Sequence, residues 1–452
     1  MRNLAIVLLL LGLLAAGPAG AVICTADDVP AATLLLPYFE VDLGNLWGNN
    51  TLFSINNASA SAVLAHVVLW SDLSVPVLDF NVYLTGYDVQ TINMRDILDG
   101  FLPRTASAAQ DTGENEPDLD PTPTAISNQG RFSQDVTFAS CTGQLPPPPL
   151  PADFVAHLRL SLTGQSSPIL GNRCAGRNLG DNIARGYVTV DTVNNCTLRF
   201  PGDPGYFAPG GTGDATNQNV LWGDYFYVND GENFAQGETL VHIEAAPGTG
   251  TSSFNTYGAN PETTVAGQYT FYGRYVAWTA ADNREPLATN FAVRYINGGA
   301  FNGGTSLLCW RDSKVNQGPF TCPAVSGTRP PWFPLNQEGV VIFDEEENPS
   351  LPQAPPVSPP PPTVTNLICP AEAQRTRVGS SAFPVPFNFG WLYLNLNLPP
   401  GQAGTPAQPT EDPRAAQAWV TAVMDAAGRF SVGFDAVQLD SACRALHFTP
   451  GP

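Results

Sequence analysis

The chain has 452 residues and a formal net charge of −20, from 40 acidic and 20 basic side chains. This excess of negative charge disfavours binding to nucleic acid or to an anionic membrane surface. The hydrophobic content of 43% is too high for a disordered chain, whereas 42 glycines and 43 prolines indicate many turns. Together these values favour short strands joined by long loops.

The first 21 residues have the features of a bacterial-type signal peptide. Arg2 supplies a positive charge, residues 4–16 form a short apolar run, and residues 19–21 fit the A-x-A cleavage pattern. We therefore predict cleavage after Ala21 and export from the cytoplasm. A bulky residue precedes Cys24, which disfavours lipid attachment there. No later run reaches the roughly 18 apolar residues that a membrane helix requires, so the mature chain is predicted to have no membrane span.

Residues 22–145 are predicted to form a first β-sandwich region. Runs rich in β-branched and aromatic residues, bounded by turn-forming pairs, predict three strands at residues 51–56, 62–70 and 77–84. Residues 88–98 fit a fourth strand that ends in a helical turn. Residues 106–124 are acidic and contain no aromatic residue, which indicates a solvated acidic insert.

Residues 146–348 are predicted to form a second β-sandwich region. Residues 153–162 fit either a short helix or a strand. Several strand-like runs follow, and Gly, Asn, Asp and Pro separate them, as is typical of a sandwich. These runs are residues 186–192, 225–229, 239–245, 269–278, 288–295 and 306–311.

A proline-rich linker is predicted at residues 349–365, because its prolines favour stiff, extended backbone. Residues 366–452 form a C-terminal β segment that is too short for a large core and is expected to pack on the main body. In residues 391–398, four leucines alternate with two aromatic residues and two asparagines, so the leucines should face the core. Residues 419–439 fit a hairpin that turns near Gly428.

Two segments have a similar order of residues. Phe53 precedes Trp70 by 17 positions (70 − 53), and Phe291 precedes Trp310 by 19 positions (310 − 291). An aspartate follows each tryptophan two positions later. Two interpretations are open: the segments belong to two related sandwich halves, or they are β-hairpins that resemble each other by chance.

The eight cysteines predict four disulfides, because the number is even and the chain carries an export signal. No C-x-x-C or C-x-C pair is present, which disfavours a cysteine metal site. Sequence does not fix the connectivity, and the simplest hypothesis pairs neighbours: Cys24–Cys141, Cys174–Cys196, Cys309–Cys322 and Cys369–Cys443. The predicted fold class is mainly β, with immunoglobulin-like antiparallel β-sandwich domains, long Pro/Gly-rich loops and disulfide staples.

Motifs for catalysis are absent from the sequence. There is no H-E-x-x-H zinc motif, no G-x-S-x-G nucleophile motif and no glycine-rich loop with the lysine that phosphate binding requires. A pair of glycosidase carboxylates can come from distant strands, and 40 acidic residues leave too many candidates. The sequence therefore favours a non-catalytic protein, and enzymatic activity stays an open question.

Two acidic turns are weak candidates for a structural calcium ion. One follows the strand-like residues 340–343 and the other follows residues 225–229, and each can supply two or three oxygen ligands. Neither matches an EF-hand, so solvated turns are the favoured interpretation. The candidate ligands are Asp344, Glu345, Glu347, Asp230 and Glu232. No other cofactor is implied.

Three of the eight tryptophans, Trp47, Trp222 and Trp332, lie beside Gly, Asn or Pro and are predicted to be in loops. An exposed aromatic ring in such a loop can stack on a sugar ring. The alternative is that these tryptophans close the ends of the sandwich and have no ligand.

The leading hypothesis is a secreted or cell-envelope protein, periplasmic or at the cell surface, that acts non-catalytically through surface contacts in a structural or adhesive role. Its partner would be an envelope protein or a glycan, and neither nucleic acid nor a membrane span is expected. A first alternative is an extracellular glycan-binding module or a glycoside-active enzyme that uses carboxylates and loop tryptophans. A second alternative is a calcium-dependent adhesin.

Overall fold

A computed structural model describes residues 29–104, 139–141, 145, 148–245, 270–277, 281–299, 302–313, 318–323, 330, 332–350, 368–399 and 416–440. The predicted signal peptide, the acidic insert and most of the proline-rich linker lie outside the described residues. The described part of the chain is mainly β, and every pair of named strands is antiparallel.

The first half of the molecule, as defined here, contains strands β1 to β12. They are β1 Thr33–Asp42, β2 Asn50–Asn57, β3 Val63–Ser71, β4 Pro76–Leu84, β5 Val89–Asn93, β6 Ser166–Ser167, β7 Arg173–Cys174, β8 Ile183–Val193, β9 Leu221–Trp222, β10 Asp224–Asn229, β11 Phe234–Thr239 and β12 Val241–Ile243. Among its described residues there are two α-helices, α1 Met94–Leu98 and α2 Ala152–Leu162, and single 3-10 turns at Ala139–Cys141, Pro168–Leu170 and Asp230–Glu232.

The second half contains strands β13 to β21. They are β13 Asn290–Gly298, β14 Gly303–Ser313, β15 Gly339–Phe343, β16 Pro349–Ser350, β17 Ala373–Arg377, β18 Phe389–Asn395, β19 Ala416–Asp425, β20 Ser431–Asp435 and β21 Val437–Gln438.

Two large sheets form the first half, and β6 and β7 pair in a separate two-stranded sheet. Sheet A has the order β11-β10-β2-β5, with β9 paired to β2, and sheet B has the order β12-β1-β8-β3-β4. Strand β2 turns Phe53 and Ile55 inward, and β10 adds Tyr225 on the same side. These side chains join those of β1, β3 and β8 in one buried cluster, so sheets A and B pack face to face.

The second half also has two layers, which share the hairpin of β13 and β14. These strands pair with each other only at their junction, and then β13 pairs with β18 while β14 pairs with β17 and β19. Sheet C is therefore β16-β15-β18-β13 with β21 beside β13, and sheet D is β17-β14-β19-β20. Leu392 and Leu394 of β18 share a buried cluster with Leu307 of β14, and Leu396 is buried there too. The predicted inward position of the alternating leucines is confirmed.

Sheet D has buried side chains on both of its faces. Leu307 faces the core of the second half, whereas Leu308 and Trp310 belong to the large cluster of the first half. A partly buried ion pair crosses the same boundary, since the Arg375 Nη1 atom lies 2.6 Å from the Glu40 Oε1 atom. The two halves therefore pack as one body through sheet D.

Most predicted strands of the described region are confirmed, and residues 153–162 form helix α2. The helix has His157, Leu158, Ser161 and Leu162 on its buried side, which is helical spacing. Among the described residues, no helix combines the length and the hydrophobicity needed to cross a bilayer.

Strand β1 was not predicted, because its residues do not alternate and Pro37 interrupts them. Nine of its ten residues are buried, since β1 is a central strand of sheet B. The pairing of β1 with β8 shifts register between Leu36 and Phe39, and Pro37, which lacks an N–H donor, lies at this irregularity.

The predicted strand at residues 269–278 is wrong for its described part, because residues 271–277 form successive turns. Local hydrogen bonds hold them: the Gly273 N–H donates to the Thr270 carbonyl at 2.9 Å, and the Tyr275 N–H donates to the Tyr272 carbonyl at 2.8 Å. Strand pairing also crosses the predicted boundary between residues 145 and 146, since β8 lies between β1 and β3.

Three disulfides join described cysteines: Cys141–Cys196, Cys174–Cys322 and Cys309–Cys369. The predicted pairings Cys24–Cys141, Cys174–Cys196, Cys309–Cys322 and Cys369–Cys443 are wrong, since each contains a cysteine with a different partner. Cys24 and Cys443 lie outside the described residues. Pairing of sequence neighbours failed because the sheets bring distant segments together, and the Cys174–Cys322 bond spans 148 residues. Such bonds indicate an oxidising, non-cytoplasmic location.

Candidate functional site

A cleft opens where an edge of sheet A meets an edge of sheet D. It has a volume of about 490 Å³. Its walls are the turn between β10 and β11, from the first half, and the turn between β19 and β20, from the second. We call it the junction cleft, and its principal lining residues are Glu232, Asn233, Phe234, Asp425, Gly428 and Phe430.

The first wall is a short turn that its own side chains stabilise. The Asn229 side chain accepts a hydrogen bond from the Glu232 N–H at 3.1 Å, and Asn233 reverses the chain with φ of 50°. The Gly231 N–H donates to the Trp47 carbonyl at 2.9 Å. Glu232 therefore lies at the tip of a turn that is fixed on both sides.

The second wall is the β19–β20 hairpin. Ala427 and Gly428 both have positive φ, and the Ala426 N–H donates to the Phe430 carbonyl at 3.0 Å. This tight turn leaves Phe430 45% exposed beside the cleft. Gly428 suits its position for two reasons, since its φ is 77° and an added Cβ would lie 3.2 Å from the Glu232 carbonyl oxygen.

Hydrogen bonds hold the two walls together. The Asn233 Nδ2 group donates to the Gly428 carbonyl at 2.9 Å, and the Ser431 hydroxyl donates to the Ala235 carbonyl at 2.6 Å. These contacts join residues about 195 positions apart. The cleft is therefore a product of the packing of the two halves.

The polar groups of the junction cleft are mainly acceptors. Arg377 Nη1 lies 2.6 Å from the Asp425 Oδ2 atom, so this carboxylate already has a cationic partner. Among the described residues, no donor hydrogen bonds to the exposed Glu232 carboxylate. A ligand with hydroxyl groups would find a free acceptor on one wall and the apolar ring of Phe430 on the other.

The predicted calcium ligands lie on two separate turns, one in each half. Asp230 and Glu232 belong to the turn of the junction cleft, whereas Asp344, Glu345 and Glu347 belong to the turn between β15 and β16. Within the described part of the chain, no group of three or more His, Cys, Asp or Glu side chains is suited to hold a metal ion.

The Asp344 carboxylate is used within its own turn. It accepts hydrogen bonds from the backbone N–H groups of Glu346 and Asn348, at 2.9 and 2.8 Å, and from the Asn348 side chain at 2.9 Å. The bonds from Asn348 and Glu346 lower the pKa of Asp344 below its ordinary value. The Asp344 carboxylate therefore stabilises the turn between β15 and β16.

The three tryptophans predicted in loops have different surroundings. Trp47 is 66% exposed in the loop after β1, and Trp222 is 41% exposed at the end of β9. Trp332 is only 1% exposed and packs with Phe320 and Phe333 in a small buried cluster. Stacking on a ligand is therefore open to Trp47 and Trp222, whereas Trp332 closes part of the core.

The sequence singled out Glu232 only as a weak candidate calcium ligand and predicted the turn near Gly428, but it singled out neither Asp425 nor Phe430. The sequence predicted the hairpin turn near Gly428, so the position of this wall along the chain could be predicted. The contact of the β19–β20 turn with the β10–β11 turn depends on the packing of sheet D against the first half. No local sequence pattern predicts that contact.

Comparison with known proteins finds no matching family model, no matching curated protein and no matching solved structure. The function of this chain therefore has to be inferred from the chemistry of its cleft and of its exposed surfaces.

Proposed function

We propose that this chain is an exported, non-catalytic binding protein that acts through surface contacts, and that the junction cleft binds a short portion of a glycan. One observation carries the proposal: the exposed ring of Phe430 and the free carboxylate of Glu232 line the same cleft. A sugar offers an apolar C–H face to a ring and hydroxyl donors to a carboxylate. The volume lies in the range of about 300–1,000 Å³ that is usual for small-ligand sites.

The interactions of the two carboxylates in the cleft, Glu232 and Asp425, favour binding of a glycan over its hydrolysis. Hydrolysis of a glycosidic bond uses two carboxyl groups that flank the bond, one of them as a proton donor. Asp425 is held in an ion pair with Arg377, so Glu232 is the one carboxylate among the described lining residues that has no ion-pair partner. A glycoside-active enzyme is therefore the weaker form of the glycan hypothesis, and a hydrolysis assay separates the two.

The proposal includes secretion to the periplasm, the cell surface or the medium, after signal-peptide cleavage following Ala21. The three disulfides support an oxidising destination. An immunoglobulin-like arrangement of the sheets is also part of the proposal, and the face-to-face packing of two antiparallel sheets, A and B, supports it.

The test is a binding titration of the purified mature chain with short neutral oligosaccharides such as cellobiose, maltose, laminaribiose and chitobiose. For any sugar that binds, Phe430→Ala and Glu232→Gln should each weaken affinity about tenfold, which is the loss of roughly 1.4 kcal/mol. Phe226→Ala is the matched control, because Phe226 is 46% exposed on sheet A and does not line the cleft.

Three results would contradict the proposal. One is no binding to any sugar of the panel at millimolar concentration. Another is equal loss of affinity in the Phe226→Ala control and the cleft variants. Release of new reducing ends from the longer homologues of a bound sugar would replace the binding function with a hydrolytic one.

A further inference from the structure

The outer face of sheet C carries aromatic and aliphatic side chains that lie outside the buried clusters of the described residues. Strand β18 supplies Trp391 and Tyr393, which alternate with the buried Leu392 and Leu394. Strands β15 and β21 add three further residues. We call this surface the sheet C platform, and its members are Val341, Phe343, Trp391, Tyr393 and Val437.

Strand register places the platform residues side by side. Phe343 pairs with Trp391 across β15 and β18, and Trp391 pairs with Arg294 across β18 and β13. The neighbouring row crosses four strands in the order Val341, Tyr393, Ala292 and Val437. The platform is therefore one continuous surface on three adjacent strands and a short fourth one.

The aromatic pair of the platform is preorganised. The Phe343 and Trp391 rings stack with their centroids 3.9 Å apart and their planes 7° apart. Both rings remain partly exposed, and Val437 is 62% exposed. Apolar surface that a rigid scaffold leaves exposed is typical of an interaction site, since little entropy is lost when a partner binds to it.

Polar groups surround the platform. Arg294 is exposed beside Trp391, and no described residue forms an ion pair with it. The acidic turn that begins at Asp344 follows Phe343 directly and leaves Glu345 and Glu346 exposed. Hydrogen-bond donors and acceptors thus lie next to an apolar surface, which is the combination that a sugar ring requires.

We propose that the sheet C platform binds an extended, neutral polysaccharide, with the apolar faces of the sugar against the ring surfaces that the Phe343–Trp391 stack leaves exposed and its hydroxyl groups at Arg294 and the acidic turn. This inference rests on the proposed function, since it assigns a second glycan surface outside the junction cleft. A neutral polymer is specified because the net charge of −20 repels a polyanion. Long chains are specified because the platform is an open face that crosses several strands.

The experiment measures binding of the full mature chain to insoluble cellulose, chitin and xylan, and to soluble polygalacturonate as the anionic probe. Val437→Glu places a charge on the platform at a position that is 62% exposed, where the expected change in stability is small. Val89→Glu is the matched control, because Val89 is 56% exposed on sheet A. Trp391→Ala tests the stacked pair, with a melting curve to verify folding.

For at least one neutral polymer, Val437→Glu and folded Trp391→Ala should weaken binding at least about fivefold, while Val89→Glu matches the wild type. Polygalacturonate should not bind. No binding to any neutral polymer would overturn the inference, and so would unchanged binding in the two platform variants. A wild-type dimer that Val437→Glu dissociates would show instead that this face contacts a second copy of the chain.

The experiments distinguish failure of the platform inference from failure of the proposed function. If the platform inference is wrong and the proposed function is right, Phe430→Ala weakens binding of short sugars while Val437→Glu changes nothing. If the cleft is not a glycan site, Phe430→Ala does not change the binding affinity for short sugars, whatever the result of the polymer assays. Each variant therefore reports on one surface.

Discussion

Trp70 of the first half and Trp310 of the second half both pack against the ring of Tyr187. Trp70 stacks on it with centroids 5.7 Å apart and planes 4° apart, whereas Trp310 meets it edge-on at 5.9 Å and 74°. The Tyr187 hydroxyl donates to the Ser74 hydroxyl at 2.8 Å. Because all three rings are at most 3% exposed, separation of the halves would expose a large aromatic surface.

We expect Trp310→Ala to lower the free energy of unfolding by about 3–5 kcal/mol, because it leaves a cavity between the halves. A double-mutant cycle with Tyr187→Leu should give a coupling energy above about 0.5 kcal/mol. Urea denaturation of the four proteins measures both quantities. Strictly additive losses would mean that the Tyr187 contact with Trp310 contributes nothing beyond burial.

The segments around these two tryptophans illustrate which features of the fold the sequence could predict. The similar segments around Trp70 and Trp310 form β3 and β14, and in each half the preceding strand lies in the other sheet. However, β13 and β14 pair at their junction whereas no pairing joins β2 to β3 among the described residues, so both interpretations of the similarity stay open. Alternating strands such as β18 were predictable, because one face is buried and the other is not.

Features made by long-range packing were not predictable. Strand β1 is buried on both faces and has no alternation, and the turns at residues 271–277 carry the aromatic residues that a strand would carry. Cysteine partners and the two walls of the junction cleft depend on which sheets pack together. The sequence singled out Glu232 as a candidate calcium ligand, whereas the position of Phe430 beside Glu232 depends on the packing of the second half on the first.

Arg274 should be among the most important charged residues for stability. Its Nε atom lies 3.1 Å from Asp312 Oδ1, its Nη1 atom contacts Glu372, and both ion pairs are buried. Burial raises the pKa values of both carboxyl groups, and Arg274 partly offsets this effect. Arg274→Met would leave two buried carboxyl groups without their partner, at a cost of about 3–5 kcal/mol in unfolding free energy.

The control for this substitution is Arg199→Met. Arg199 is 51% exposed and pairs with Asp214, so its loss should cost less than about 1 kcal/mol. Thermal and urea unfolding of the two variants provide the comparison. Equal destabilisation would show that burial of the Arg274 cluster has no special effect.

The Cys309–Cys369 disulfide joins β14 to the segment before β17 across 60 residues. Replacement of both cysteines by serine should lower the free energy of unfolding by about 2–5 kcal/mol, because the unfolded chain gains freedom. Non-reducing peptide mapping of the wild type should yield this bond together with Cys141–Cys196 and Cys174–Cys322. A Cys309–Cys322 peptide would refute the connectivity.

The titration of Asp282 should lower the free energy of unfolding as the pH rises from about 4 to 6. Burial raises its pKa from 3.8 to about 6, although the Tyr272 N–H donates to Asp282 Oδ2 at 2.8 Å. In this window the folded chain retains a proton that the unfolded chain releases. The stabilising contribution is therefore complete below the unfolded pKa, declines by up to about 1.4 kcal/mol per pH unit, and is lost above the folded pKa.

Asp282→Asn removes this titration and keeps a side chain of the same shape, so its unfolding free energy should depend less steeply on pH than that of the wild type. The difference between the two proteins, measured by urea denaturation from about pH 4.5 to 7.5, isolates Asp282, because the other buried carboxyl groups are common to both. The variant should gain stability relative to the wild type as the pH rises. Parallel curves would show that Asp282 has the same pKa in the folded and unfolded chains.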